Sequence, residues 1–282
     1  MTVFGPITPE SASRFADLTP YRIHYYEAGE GHPIVLLHGS GPGATGWSNF
    51  KDNLGHLAET NRVLAVDMPG WGRSDTQNDA DGRDHAANLV ALLDHLGIEK
   101  AALVGNSMGG MTSIMTAIRF PERVSHLITM GAPCPGVDVS APDGPSEGLK
   151  FLNAAYQDPT PETMKKLVQV MCFDDAIATD ELAKLRSEAA LARPDHLQDW
   201  GKTFPAMNAR FQGFIGRIPE IGAPTLAVHG RDDRVVPFEA SIRLIKQAAD
   251  ARLLLLARCG HWAMIEHPQE FNRAVRDFVA NN

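Results

Sequence analysis

Short apolar runs alternate with amphipathic stretches through the first half of the chain. Residues 33–37, 62–67, 101–104 and 124–130 read as buried strands, and stretches with helical spacing, such as residues 85–96, separate them. This alternation predicts an α/β domain on a mostly parallel sheet. It stops near Gly136. From there to about residue 215 only helical patterns occur, over 146–156, 161–171, 180–191 and 195–207. Strand character returns at 224–229 and 252–256, each followed by a helix-like segment, 239–248 and 268–279. The expected organisation is therefore a first core part (1–136), a helical insertion (137–215) and a second core part (216–282). The insertion is expected to cap the C-terminal ends of the strands, where open α/β sheets bind ligands.

Composition narrows the function class. The 282 residues are 44% hydrophobic and 21% charged, enough for one large folded domain with an insertion. The net charge is -8, with 26 basic against 34 acidic side chains and no Lys/Arg cluster, so neither nucleic acid nor an anionic membrane is an expected partner. A small molecule is. No apolar run approaches membrane-spanning length and residues 1–10 lack a signal-peptide pattern, which predicts a cytoplasmic protein. Cys134, Cys172 and Cys259 are odd in number and lack metal-type spacing, so neither a disulfide framework nor a metal site is expected.

The chemistry centres on Gly105-Asn106-Ser107-Met108-Gly109, which lies between a strand pattern and a helix pattern. G-x-S-x-G in that setting is a nucleophile elbow, a strained turn that lifts a serine hydroxyl clear of the sheet edge. The bare pentapeptide arises by chance in about one chain in ten of this composition, so its context must support it. A serine hydroxyl needs a base. Of eleven histidines, His261 is the best placed, because Cys259-Gly260-His261-Trp262 follows the last strand and brings the imidazole to the sheet edge of Ser107. His38 and His229 each end an apolar run, as strand-capping or loop-supporting imidazoles do. The orienting carboxylate should follow the preceding strand. Gly230-Arg231-Asp232-Asp233-Arg234-Val235-Val236-Pro237 supplies two candidates; Asp233 is favoured, with Asp232 left to hold the turn. Oxyanion donors are expected from the Met108 N–H and from Ser40 in the loop His38-Gly39-Ser40-Gly41-Pro42-Gly43. The glycines there, Gly39 and Gly41 among them, let backbone amides approach a ligand. No Gly-Lys-Ser/Thr follows, so this is not a phosphate loop.

These segments, with Asp67-Met68-Pro69-Gly70-Trp71-Gly72-Arg73-Ser74-Asp75, resemble an α/β-hydrolase over nearly the full length. More narrowly, the chain is similar to the meta-cleavage product hydrolases, the carbon–carbon bond hydrolases of bacterial aromatic degradation. The matches are residues 37–44 with Trp47-Ser48-Asn49, residues 105–110, and Cys259-Gly260-His261-Trp262-Ala263 with Glu266-His267. The resemblance implies a small-molecule substrate of the 2-hydroxy-6-oxohexa-2,4-dienoate type, cleaved by Ser107, His261 and Asp233 without a cofactor. It also implies a homo-oligomer, a dimer or larger. Arg186 matches the family's substrate-binding arginine, with Arg193 its rival in the same segment. Asn49 and Asn106 match polar positions at the dienoate end, and Phe173 and Trp262 match aromatic ones in the same pocket. Val236 and the cap helices are expected to set the volume for the 6-substituent. Met111 stands where some relatives carry a histidine credited with helping tautomerisation. Two further readings stand beside this one: a carboxylesterase or lactonase using the same triad, and a non-catalytic ligand receptor on the same fold.

Overall fold

The computed structural model describes residues 6–77, 83–137, 140–141 and 144–282. Eight strands form one sheet: β1 (Ser13–Asp17), β2 (Arg22–Ala28), β3 (His32–Leu37), β4 (Asn61–Val66), β5 (Ala101–Asn106), β6 (Val124–Met130), β9 (Thr225–Gly230) and β10 (Ala251–Leu256); β7 (Ser140–Ala141) and β8 (Gly144–Pro145) make a separate short hairpin. The order is β1-β2-β4-β3-β5-β6-β9-β10, parallel from β4 onward, with β2 antiparallel to both neighbours. Every residue of β5 and of β9 is buried, as in a sheet covered on both faces, which is why these segments read as unbroken apolar runs.

The helices after the single turn α1 (Pro9–Ala12) are α2 (Gly46–Leu57), α3 (His85–His95), α4 (Met108–Arg119), α5 (Glu147–Gln157), α6 (Pro161–Met171), α7 (Asp180–Leu191), α8 (Pro194–Gln212), α9 (Glu239–Gln247), α10 (Ala263–Glu266) and α11 (Pro268–Asn281). Those of the insertion begin at strong local signals. Thr160 caps α6 ahead of Pro161, and the Thr179 hydroxyl accepts from the Leu182 N–H to start α7. Helix α8 runs to Gln212, past the expected end at 207 and through Pro205, because Trp200, Met207 and Phe211 are buried along it. Tertiary packing offsets the backbone hydrogen bond that the proline cannot make.

Strands β1 and β2 are absent from the sequence reading. In β2, His24 and Glu27 interrupt any apolar run, and His24 is buried only because Asp67 and Ser13 bond its ring. Asp67, itself fully buried, holds three elements: Oδ1 accepts from the Gly46 N–H, and Oδ2 from the Arg73 N–H and from His24 Nδ1. Its loss leaves several buried donors unpaired. Asp67→Ala is expected to destabilise the fold by about 3 kcal/mol, read as a lower urea midpoint at unchanged m. A shift within about 0.5 kcal/mol would show that the network is dispensable.

Candidate active site

Ser107 occupies the turn between β5 and α4 with φ 53° and ψ -114°, a left-handed backbone that a serine adopts only under constraint. The flanking glycines permit that turn. A Cβ on Gly105 would sit 2.2 Å from the Gly109 carbonyl oxygen, and one on Gly109 would sit 2.1 Å from that of Leu37. Strand, helix and neighbouring strand thus approach more closely than any side chain allows.

His261 is buried, and its Nδ1–H donates to Asp233 Oδ2 at 2.8 Å, leaving Nε2 as the ring nitrogen able to take a proton. Asp233 Oδ1 accepts from the N–H groups of Val235 and Val236. His229 Nε2 lies 3.2 Å from Asp233 Oδ2 and 3.0 Å from the Val236 carbonyl oxygen, so this imidazole supports the carboxylate loop. Burial alone would raise the Asp233 carboxyl, but the His261 and His229 rings outweigh it and hold it well below the usual carboxylate range. Asp232 instead accepts from the Arg258 N–H at 2.9 Å and pairs with Arg231, which closes the turn away from His261.

Two cavities meet at Ser107. A narrow pocket is lined by Asn49, Asn106, Arg186 and His261 together with Gly39, Ser40, Gly41, Ala44, Met171 and Trp262. A larger cavity of about 480 Å³ has mostly apolar walls, including Met108, Met111, Val137, Leu149, Phe204 and Val236, with the amides Asn208 and Gln212 among them. Ser40, Ser107, Leu152 and Val235 border both. A ligand with one anionic end and one bulkier end can therefore lie across the serine.

Arg186 is 2% exposed, stands 4.4 Å over the Trp262 ring, and has no hydrogen-bond partner on any guanidinium nitrogen among the described residues. Burial pulls its pKa down to about 10, which still leaves it cationic at neutral pH. A buried, unpaired cation facing the narrow pocket is costly unless an anion completes it. Arg193 is committed elsewhere: it donates to the carbonyls of Gly72 and Ser74, to Thr76 and to Asp195. Asn106 donates through Nδ2 to the carbonyls of Met130 and His261, while its buried Oδ1 has no partner among the described residues.

Phe173 is a correction. It is 42% exposed, lies under the Arg258 guanidinium at 5.3 Å and lines neither cavity, because its backbone N–H is tied to Glu266 near α10. Tyr156, Asn208 and Gln212, which no sequence pattern singles out, all come from the helical insertion, whose packing leaves no local signal. The three cysteines are free and buried, and burial pushes each thiol up. Among the described residues no group of three or more His, Cys, Asp or Glu could hold a metal ion, and no helix is long and apolar enough to cross a membrane.

Comparison with known proteins defines the class. The α/β-hydrolase fold family model matches residues 32–268. A 2-hydroxy-6-oxononadienedioate/2-hydroxy-6-oxononatrienedioate hydrolase of Burkholderia vietnamiensis is 45% identical over 267 residues, 93% of this chain and 92% of its own. The protein of the same name from Escherichia coli K12 is 41% identical over 98% of this chain and 99% of its own. The solved meta-cleavage product hydrolase of Pseudomonas fluorescens IP01 superposes with a TM-score of 0.86 at 34% identity, covering 95% of this chain and 97% of its own. The chain belongs to the meta-cleavage product hydrolases of the α/β-hydrolase fold.

Proposed function

We propose that this enzyme hydrolyses the carbon–carbon bond next to the 6-keto group of a 2-hydroxy-6-oxohexa-2,4-dienoate, giving a 2-hydroxypenta-2,4-dienoate and a carboxylic acid. The observation that carries the reading is Arg186, a buried cation with no hydrogen-bond partner among the described residues, in the narrow pocket beside Ser107. It is a receptor for the dienoate carboxylate. Carbon is a poor leaving group unless the departing fragment can hold negative charge. Ketonisation of the dienol, with loss of the 2-hydroxyl proton and gain of one at carbon 5, provides that: the fragment departs as a dienolate conjugated with its carboxylate. No cofactor is needed. Ser107 attacks the 6-keto carbon as His261 takes its proton, with Asp233 orienting the imidazole. The amides of Ser40 and Met108 hold the oxyanion. Collapse forms an acyl-enzyme, which water then hydrolyses with His261 as base. Residues 137–215 act in this reading as the cap that closes the site.

The larger cavity suits a 6-substituent that ends in a second carboxylate, as in the dioates that name the curated relatives. Gln212 Oε1 accepts from the Gly136 N–H, so its amide NH₂ is left to donate. The Arg243 guanidinium lies beside Gly136, with its buried Nε unpartnered among the described residues. An ordinary esterase or lactonase would use the same triad but would give Arg186 no task. Purified protein mixed with 6-carboxyethyl and 6-phenyl dienoates is expected to bleach their visible absorbance, the former with the higher kcat/KM, beside weak turnover of p-nitrophenyl acetate. Strong ester turnover with both dienoates intact would overturn the C–C hydrolase reading.

A further inference from the structure

Three consecutive carbonyls of the loop at Ser40 are each held by a different side-chain donor. His38 Nδ1 donates to the Gly39 carbonyl at 2.7 Å, Tyr156 Oη to that of Ser40, and Trp71 Nε1 to that of Gly41 at 3.0 Å. In a trans peptide the carbonyl and the next N–H point in opposite directions, so holding these oxygens sets where the loop's amides point. His38 and Trp71 belong to the core around β3 and β4. Tyr156 comes from α5, in the segment inserted between β6 and β9.

Behind Tyr156 the hydrogen-bond directions are determined. Arg83 is 1% exposed and can only donate, so its Nη1, 3.0 Å from His196 Nδ1, makes that nitrogen the acceptor. Burial, and then the Arg83 charge, pull the His196 ring far below its usual pKa, so the neutral ring carries its proton on Nε2. Nε2 lies 3.1 Å from Tyr156 Oη and donates to it, which leaves the hydroxyl proton for Ser40. Asp199 at 3.2 Å and the Gln77 carbonyl anchor the guanidinium. Tyr156 also stacks on Trp200 at 4.9 Å, and Trp71 packs on His196 at 4.0 Å.

We propose that Tyr156 is a positioning residue: it fixes the Ser40–Gly41 peptide through the Ser40 carbonyl, next to the Gly39–Ser40 peptide that carries the Ser40 N–H and that His38 holds, so that the backbone leaving the oxyanion donor depends on the seating of α5 and α8. This rests on the reading of Ser40 as an oxyanion donor. The chain runs one way, from Arg83 through His196 and Tyr156 to the loop, and each bond polarises the next. Because the loop's amides meet a full negative charge only after attack, the effect falls on turnover and not on substrate capture.

Tyr156→Phe keeps the stack on Trp200 and removes the donated proton together with the oxygen that accepts from His196 Nε2. Its kcat is expected to fall about tenfold with both the dienoate and p-nitrophenyl acetate, with KM within about twofold. The inhibition constant of phenylboronic acid, whose serine adduct mimics the tetrahedral oxyanion, should rise in parallel. An unchanged kcat, or a lower kcat with boronate affinity retained, overturns the proposal. Should Tyr156→Phe fail to fold, His196→Ala decides: it leaves Tyr156 in place, and a fall in kcat of about threefold at constant KM is expected, against no change. Ser107→Ala run alongside separates the two ideas, since full turnover in that variant would remove the serine mechanism itself.

Discussion

Replacing Ser107 by alanine is expected to lower kcat on the dienoate by about 10⁵-fold, about 7 kcal/mol of transition-state stabilisation, while binding stays near normal. The size follows from what remains. His261 and Asp233 keep their 2.8 Å bond, the loop amides keep their direction and Arg186 keeps its charge, so capture survives. What goes is the covalent route, and a base without its nucleophile contributes little. The serine occupies a φ of 53°, where alanine fits the backbone about equally well, so the fold should be unaffected. Stopped-flow absorbance would show the dienoate bound, its spectrum shifted, and persisting. A variant within about tenfold of the parent would move the attack from Ser107 to water.

Arg186→Gln is expected to cost the dienoate about 10³-fold in kcat/KM, on the order of 4 kcal/mol, while p-nitrophenyl acetate changes by less than about threefold. A neutral amide can reach the carboxylate but cannot supply a buried charge. The same change should raise the melting temperature of the free enzyme. Burial depresses the Arg186 pKa below its unfolded value, so wherever the group is charged it opposes folding, and glutamine relieves that cost. The pH dependence has the same sign. Carboxylate capture needs the protonated guanidinium, so dienoate kcat/KM relative to that of the ester should hold below, and fall through, a pH of about 10. Equal losses on both substrates, or a lower melting temperature, would remove Arg186 as the carboxylate receptor.

Much of this molecule was legible without coordinates, for a physical reason. Strands β3, β5, β6 and β9 are buried on both faces, so each is an apolar run that burial alone requires, and α6 and α7 begin at threonine caps. The elbow is equally local, since a sharp strand-to-helix turn needs glycines at fixed offsets from the serine. β1 and β2 escaped because their polar residues are satisfied from far along the chain, Ser13 of β1 by Arg73 and His24 of β2 by Asp67.

By itself, then, the chain's sequence determined an α/β sheet with a helical insertion, a serine at an elbow, and the histidine and acidic loop that follow the last strands. These depend on neighbours in sequence. Which of two adjacent acids faces the imidazole, which arginine is left unpaired, that Phe173 lies outside the pocket, and that Tyr156 reaches the loop of Ser40 were decided only in the tertiary structure. Each turns on the direction of a side chain set by partners dozens of residues away, and no local pattern encodes direction.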